Sequence, residues 1–128
     1  MILKAIVRGK DNELFVLCID VLENTEDLAP LERAVCVAKA KHHQVIVICP
    51  WPAGVDAPGV KARAGSTVFD FQLVLQRLCT AQLHQAFARV QRAFGRVGVT
   101  VFCASQADSV SRILHRMRRL RIQQRNVR

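Results

Sequence analysis

Three short, nearly continuous apolar runs constrain this chain more than any other feature: Leu14–Ile19, Gln44–Cys49 and Val99–Ala104. A strand with one wet face alternates apolar and polar residues, whereas an uninterrupted run is covered on both faces. That is the pattern of a parallel sheet lying under helices. The first run stops at Asp20, and the second stops at Pro50-Trp51-Pro52, where proline cannot donate to a ladder.

The segments between the runs have helical spacing. Pro30 suits the first turn of a helix that buries Leu31, Ala34, Val35 and Ala38, and the acidic stretch 23–27 before it favours a helix amino terminus. Residues 53–67 are rich in glycine, proline and small side chains and form a long loop. Beyond it, Phe71, Val74, Leu75 and Leu78 begin one apolar stripe that Leu83, Phe87, Val90 and Phe94 continue, closed by Gly95 or Gly98. A final helix, capped by Asp108 or Ser109, buries Val110, Ile113, Leu114, Met117 and Leu120, with arginines on its other face. The first ten residues read as the end of a helix that stops at Gly9. The alternation predicts a three-layer α/β fold, with a parallel sheet of about three strands, right-handed crossovers and helices on both faces. With 128 residues one domain, 1–128, is expected, and a start inside a helix suggests that it is truncated.

Although 51% of residues are hydrophobic, no run approaches the roughly 20 needed to span a bilayer. Residues 1–4 do not begin a secretory signal, so a cytoplasmic location is expected. Cys18, Cys36, Cys49, Cys79 and Cys103 lie far apart among apolar neighbours, which predicts buried, reduced thiols. His42-His43 has no third ligand nearby and is not read as a metal site. The net charge of +9 is uneven: seven of ten acidic residues precede Arg33, whereas sixteen of nineteen basic ones lie from Arg33 onward. Arg112, Arg116, Arg118, Arg119 and Arg121 concentrate this charge into a candidate anion-binding surface.

Taken in order, the stretch 9–17, the strand-end Asp20, the stretch 42–52 and Gly98-Val99-Thr100-Val101 resemble a known family. It is the one catalogued as domain of unknown function fifty-eight, whose members contain a divergent von Willebrand factor A domain. The resemblance covers nearly the whole chain and implies the second half of that domain, a partial von Willebrand factor A or Rossmann-like sheet. It also implies a scaffold or adaptor role, with a MoxR-type AAA+ ATPase as partner. Complete domains of this kind often hold a divalent cation through D-x-S-x-S, a later threonine and an aspartate ending the fourth strand. Asp20 alone has a counterpart here, and the residues that follow it, Val21-Leu22-Glu23-Asn24, contain no serine. One carboxylate does not hold Mg2+. Asp20 is therefore a partial metal ligand or a loop cap, and no cofactor is expected unless upstream residues complete the site.

Catalysis needs a nucleophile with its base, paired carboxylates or a phosphate cradle. No G-x-S-x-G, G-x-x-x-x-G-K-[ST] or G-x-G-x-x-G occurs, which favours a non-enzyme. Open α/β sheets bind ligands beyond the carboxyl ends of their strands. This groups Asp20, Trp51 and Ser105 as partner-binding candidates, with Trp51 read either as a half-exposed anchor or as a core residue. A protein-interaction module is the leading expectation. The first strand, left at a sheet edge, invites pairing with a second copy or another chain. A basic nucleic-acid-binding module using the arginine-rich last helix is the alternative, against which stands the lack of aromatics among those arginines.

Overall fold

The computed structural model describes residues 6, 13–23, 27–60, 71–105 and 110–126, without the side chains of Val110, Arg121 and 124–126. The expected alternation is present: β1 (Leu14–Cys18), α1 (Ala29–Ala40), β2 (Gln44–Pro50), α2 (Phe71–Arg96), β3 (Thr100–Ala104) and α3 (Val110–Asn126). The strands form one parallel sheet in the order β1-β2-β3. The amino-terminal helix with its stop at Gly9, and the caps expected at Asp108 or Ser109, lie outside the described residues apart from the helical, buried Ile6.

Register decides which side chains share a face. Leu17 pairs with Val47, Val47 with Val101, and Cys49 with Cys103. Because strand side chains alternate, these odd-numbered residues all point one way. They pack in one cluster with Ala34, Val35 and Ala38 of α1 and with Leu83, Ala86, Phe87, Val90 and Phe94 of α2. Two right-handed crossovers that step in the same direction across a sheet put both helices on one face, as found here. Ile46 and Ile48 point the other way; they are buried yet stand outside that cluster. On their side lies α3, whose Leu120 walls a cleft together with Thr100 and Phe102 of β3. Covered on both faces, β2 is buried at every residue but Pro50, which accounts for its unbroken apolar run.

The helix ends are set by local chemistry. Asp27 Oδ1 accepts the Ala29 N–H at 3.1 Å, and Pro30 and Glu32 occupy the first turn of α1. At its other end, His43 N–H donates to Ala38 O and His42 N–H to Lys39 O, each at 2.9 Å. This paired bonding is a Schellman motif, which needs one left-handed residue. His42 holds that position with φ 62°. The same motif ends α2 around Gly98 (φ 68°), where Val99 N–H reaches Phe94 O. Lys39 Nζ donates to Val97 O at 2.6 Å, tying the two helix ends together. A left-handed conformation costs an L-residue with a Cβ about 1–2 kcal/mol relative to glycine. His42→Gly is therefore expected to raise unfolding stability by about 1 kcal/mol, read from urea midpoints at an unchanged m-value.

Two apolar stripes differ from expectation. The first turns of α2 are not buried: Phe71 is 68% and Leu78 57% exposed, and Val74 and Leu75 are also exposed. A helix of 26 residues runs about 39 Å, whereas the seven residues of β2 span about 23 Å, so the helix outruns the sheet. Its buried residues all fall between Leu83 and Phe94. In α3, Ile113, Met117 and Leu120 are half-buried, but Leu114 is exposed because it lies off that narrow stripe.

Candidate functional site

The connections from β2 and from β3 lead to helices on opposite faces of the sheet. The first leads to α2 on the odd face of the sheet and the second to α3 on the even face. Adjacent strands whose loops part in this way open a crevice at their carboxyl ends, where open α/β sheets take ligands. A depression of about 470 Å³ lies there, between the 52–57 loop and Ser105. It adjoins a cleft of about 530 Å³ that continues past Phe102 to Arg116 of α3.

The three residues predicted at this edge have different surroundings. Asp20 is exposed, and its Oδ1 accepts the Leu22 N–H at 2.8 Å, closing the turn after β1. Trp51 is not a half-exposed anchor. It is 6% exposed, its Nε1–H donates to Val55 O at 3.1 Å, and its ring meets Phe87 edge-on at 5.9 Å and His84 at 5.5 Å. His84 Nε2–H donates to Asp56 O at 2.8 Å, which pins this loop to α2. The flanking prolines stiffen the chain, but the apolar side of α2 captures the ring. Ser105, half-buried, lines both clefts.

Arg112, Arg116, Arg118 and Arg119 are exposed on α3, while the side chain of Arg121 lies outside the described residues. Arg116 and Arg119 line a further cleft of about 260 Å³ with Phe102 and Thr100. Phe102 was not legible as a site residue, because an aromatic within an apolar run reads as core. Only the position of β3 at the sheet edge exposes it. His42 and His43 part company: His42 is exposed, while the buried His43 accepts the Glu13 N–H at Nδ1 and packs edge-on against Phe15. Among the described residues, no three His, Cys, Asp or Glu side chains are grouped as a metal site would need.

The cysteines correct a sequence expectation. All five are free thiols, but Cys18, Cys36 and Cys79 are exposed, Cys103 is half-buried and only Cys49 is buried. Apolar neighbours in sequence do not fix which way a side chain faces: Cys36 is on the outer side of α1, Cys79 is on the overhanging part of α2, and Cys18 is on a sheet edge. Burial pushes the Cys49 thiol up to about 12, and its neighbours Cys103, Asp20 and Cys18 add to the effect.

At the opposite edge of the sheet is β1. Gln44 N–H donates to Glu13 O at one end of its ladder, and Ile19 N–H donates to Ile48 O at the other. Alternation between these bonds turns the N–H and C=O of Leu14, Val16 and Cys18 away from β2. Among the described residues, no strand pairs with that side. The Val16 side chain is 38% exposed and Cys18 is exposed.

These features define a small parallel α/β protein with, among the described residues, an unpaired edge at β1 and a basic, clefted edge at β3. No protein-family model, curated protein or solved structure matches the chain. Among the described residues, no helix is long and apolar enough to cross a membrane.

Proposed function

We propose that the chain is a non-catalytic protein-interaction module whose partner adds an extended segment to the open edge of β1. The observation that carries this reading is the row of outward N–H and C=O groups at Leu14, Val16 and Cys18, with apolar side chains beside them. Such an edge is a template for strand addition, in which main-chain bonds supply affinity and side chains supply selectivity. Edges that must stay unpaired usually carry a lysine, a proline or a bulge, and Leu14–Cys18 has none of these. The resemblance to the von Willebrand factor A-like family supports a MoxR-type AAA+ ATPase as the first partner to test. A second copy of the chain is the other candidate.

Val16→Pro tests this cleanly. Its N–H points outward, so proline removes a donor from the free edge without breaking the β1–β2 ladder. Sedimentation of the chain alone, and its titration with a purified MoxR-type ATPase, are expected to show association in at least one case. Val16→Pro is expected to abolish that association at an unchanged melting temperature. Association that survives the substitution, or a wild-type chain that stays monomeric and binds no ATPase, would contradict the reading.

A further inference from the structure

The edge formed by β3 differs from the β1 edge in shape and charge. Two clefts, of about 530 and 260 Å³, share Phe102 and Arg116 as walls and so adjoin one another in a groove beside β3. Arg116 and Arg119 lie three residues apart, which places them one above the other on α3 beside that groove. Phe102 is half-buried on the α3 face of β3 and borders both clefts. Gln91, Thr100 and Gln123 add groups that can donate or accept hydrogen bonds along its walls.

The charge is one-sided. Neither α2 nor α3 contains an aspartate or glutamate, yet they carry exposed Arg77, Arg89, Arg92 and Arg96, and Arg112, Arg116, Arg118 and Arg119. The adjoining depression beyond Ser105 is walled in part by Asp56, so the anion-attracting track ends there. An elongated basic groove with an aromatic ring in its floor suits a ligand that combines phosphates with flat, unpaired bases. Arginines neutralise the backbone, and the ring offers a stacking surface that works for any base. A duplex keeps its bases stacked on one another and offers nothing to Phe102. An acidic peptide would meet the arginines but leave the ring unused.

We infer that the groove between α2 and α3 along β3 binds a short stretch of single-stranded nucleic acid, with Phe102 stacking on a base and Arg116 and Arg119 holding phosphates. This site lies on the sheet edge opposite the strand-addition surface and is independent of it.

The probe is a fluorescein-labelled oligothymidine, followed by anisotropy over a range of salt concentrations. The wild-type chain is expected to bind it, and a hairpin duplex of equal length much more weakly. Arg116→Gln with Arg119→Gln is expected to lower the slope of log affinity against log salt by about 1.4, from about 0.7 per phosphate contact on single strands. Phe102→Leu is expected to weaken binding by roughly 5- to 100-fold with the slope unchanged, and Phe102→Tyr to retain it. Val16→Pro is expected to leave this binding intact. No binding at low salt, equal binding of the duplex, displacement by an equimolar polyglutamate peptide, or an unchanged slope in the arginine variant would each overturn the inference. An unweakened, folded Phe102→Leu would do the same. Should that variant not fold, the exposed arginine pair decides alone.

Discussion

Phe94→Ala is expected to lower unfolding stability by about 3–5 kcal/mol, whereas Phe71→Ala in the same helix is expected to change it by less than about 0.5 kcal/mol. The two residues have the same chemistry and sit near opposite ends of α2. Phe94 is fully buried in the cluster that joins α1, α2 and the odd face of the sheet, while Phe71 stands on the overhang. Truncating a buried ring loses its transfer free energy and leaves a cavity that its neighbours only partly fill. A domain of this size is stable by about 5–15 kcal/mol, so the Phe94 variant should melt roughly 10–20 °C lower. Scanning calorimetry on both variants checks this. Similar losses at the two positions would mean that the overhang is packed and that the length mismatch between α2 and the sheet is wrong.

Alkaline unfolding is expected to centre on Cys49. Its thiol is pushed up to about 12 in the folded chain, above the ordinary value of 9.0. Below pH 9 both states hold the proton, and the group contributes no pH dependence. Above 9 the unfolded chain releases the proton while the folded chain retains it, so rising pH favours unfolding. The loss is about 1.4 kcal/mol per pH unit until the folded value is reached near 12. Urea midpoints measured at pH 8, 9, 10 and 11 should fall more steeply for the wild-type chain than for Cys49→Ala. The alanine variant is less stable at pH 8 but lacks this ionisation. Parallel curves for the two proteins would show that Cys49 ionises as freely in the fold as in the open chain.

Much of the architecture was legible because burial on two faces leaves a strong mark. The run 44–49 has no polar interruption after its first residue, and β2 is the strand covered by helices on both sides. The end of α2 falls at Gly98, one of the two glycines the sequence offered, whereas the end of α1 after Ala40 left no such mark because its left-handed turn falls on His42 and not on a glycine. What was not legible depends on lengths and edges. The stripe Phe71, Val74, Leu75 and Leu78 has the same spacing as a buried one, and only the shorter reach of the strands leaves it uncovered. Trp51 could be read as an anchor or as core, because nothing local shows that α2 passes beside it. Phe102 looked like core, and it lines a groove because no strand lies beyond β3 among the described residues. Asp20, Arg112, Arg116, Arg118 and Arg119 are exposed as the pattern put them, since polar residues at strand ends and on outer helix faces stay in water.

Interstrand backbone NOEs test the sheet on which both proposed surfaces depend. The expected ladders join 15 with 45 and 17 with 47 on one side of β2, and 47 with 101 and 49 with 103 on the other, rising together in number. Contacts whose partners fall in number as β2 rises, or any ladder joining β1 directly to β3, would contradict the parallel order and remove both edges from their assigned places.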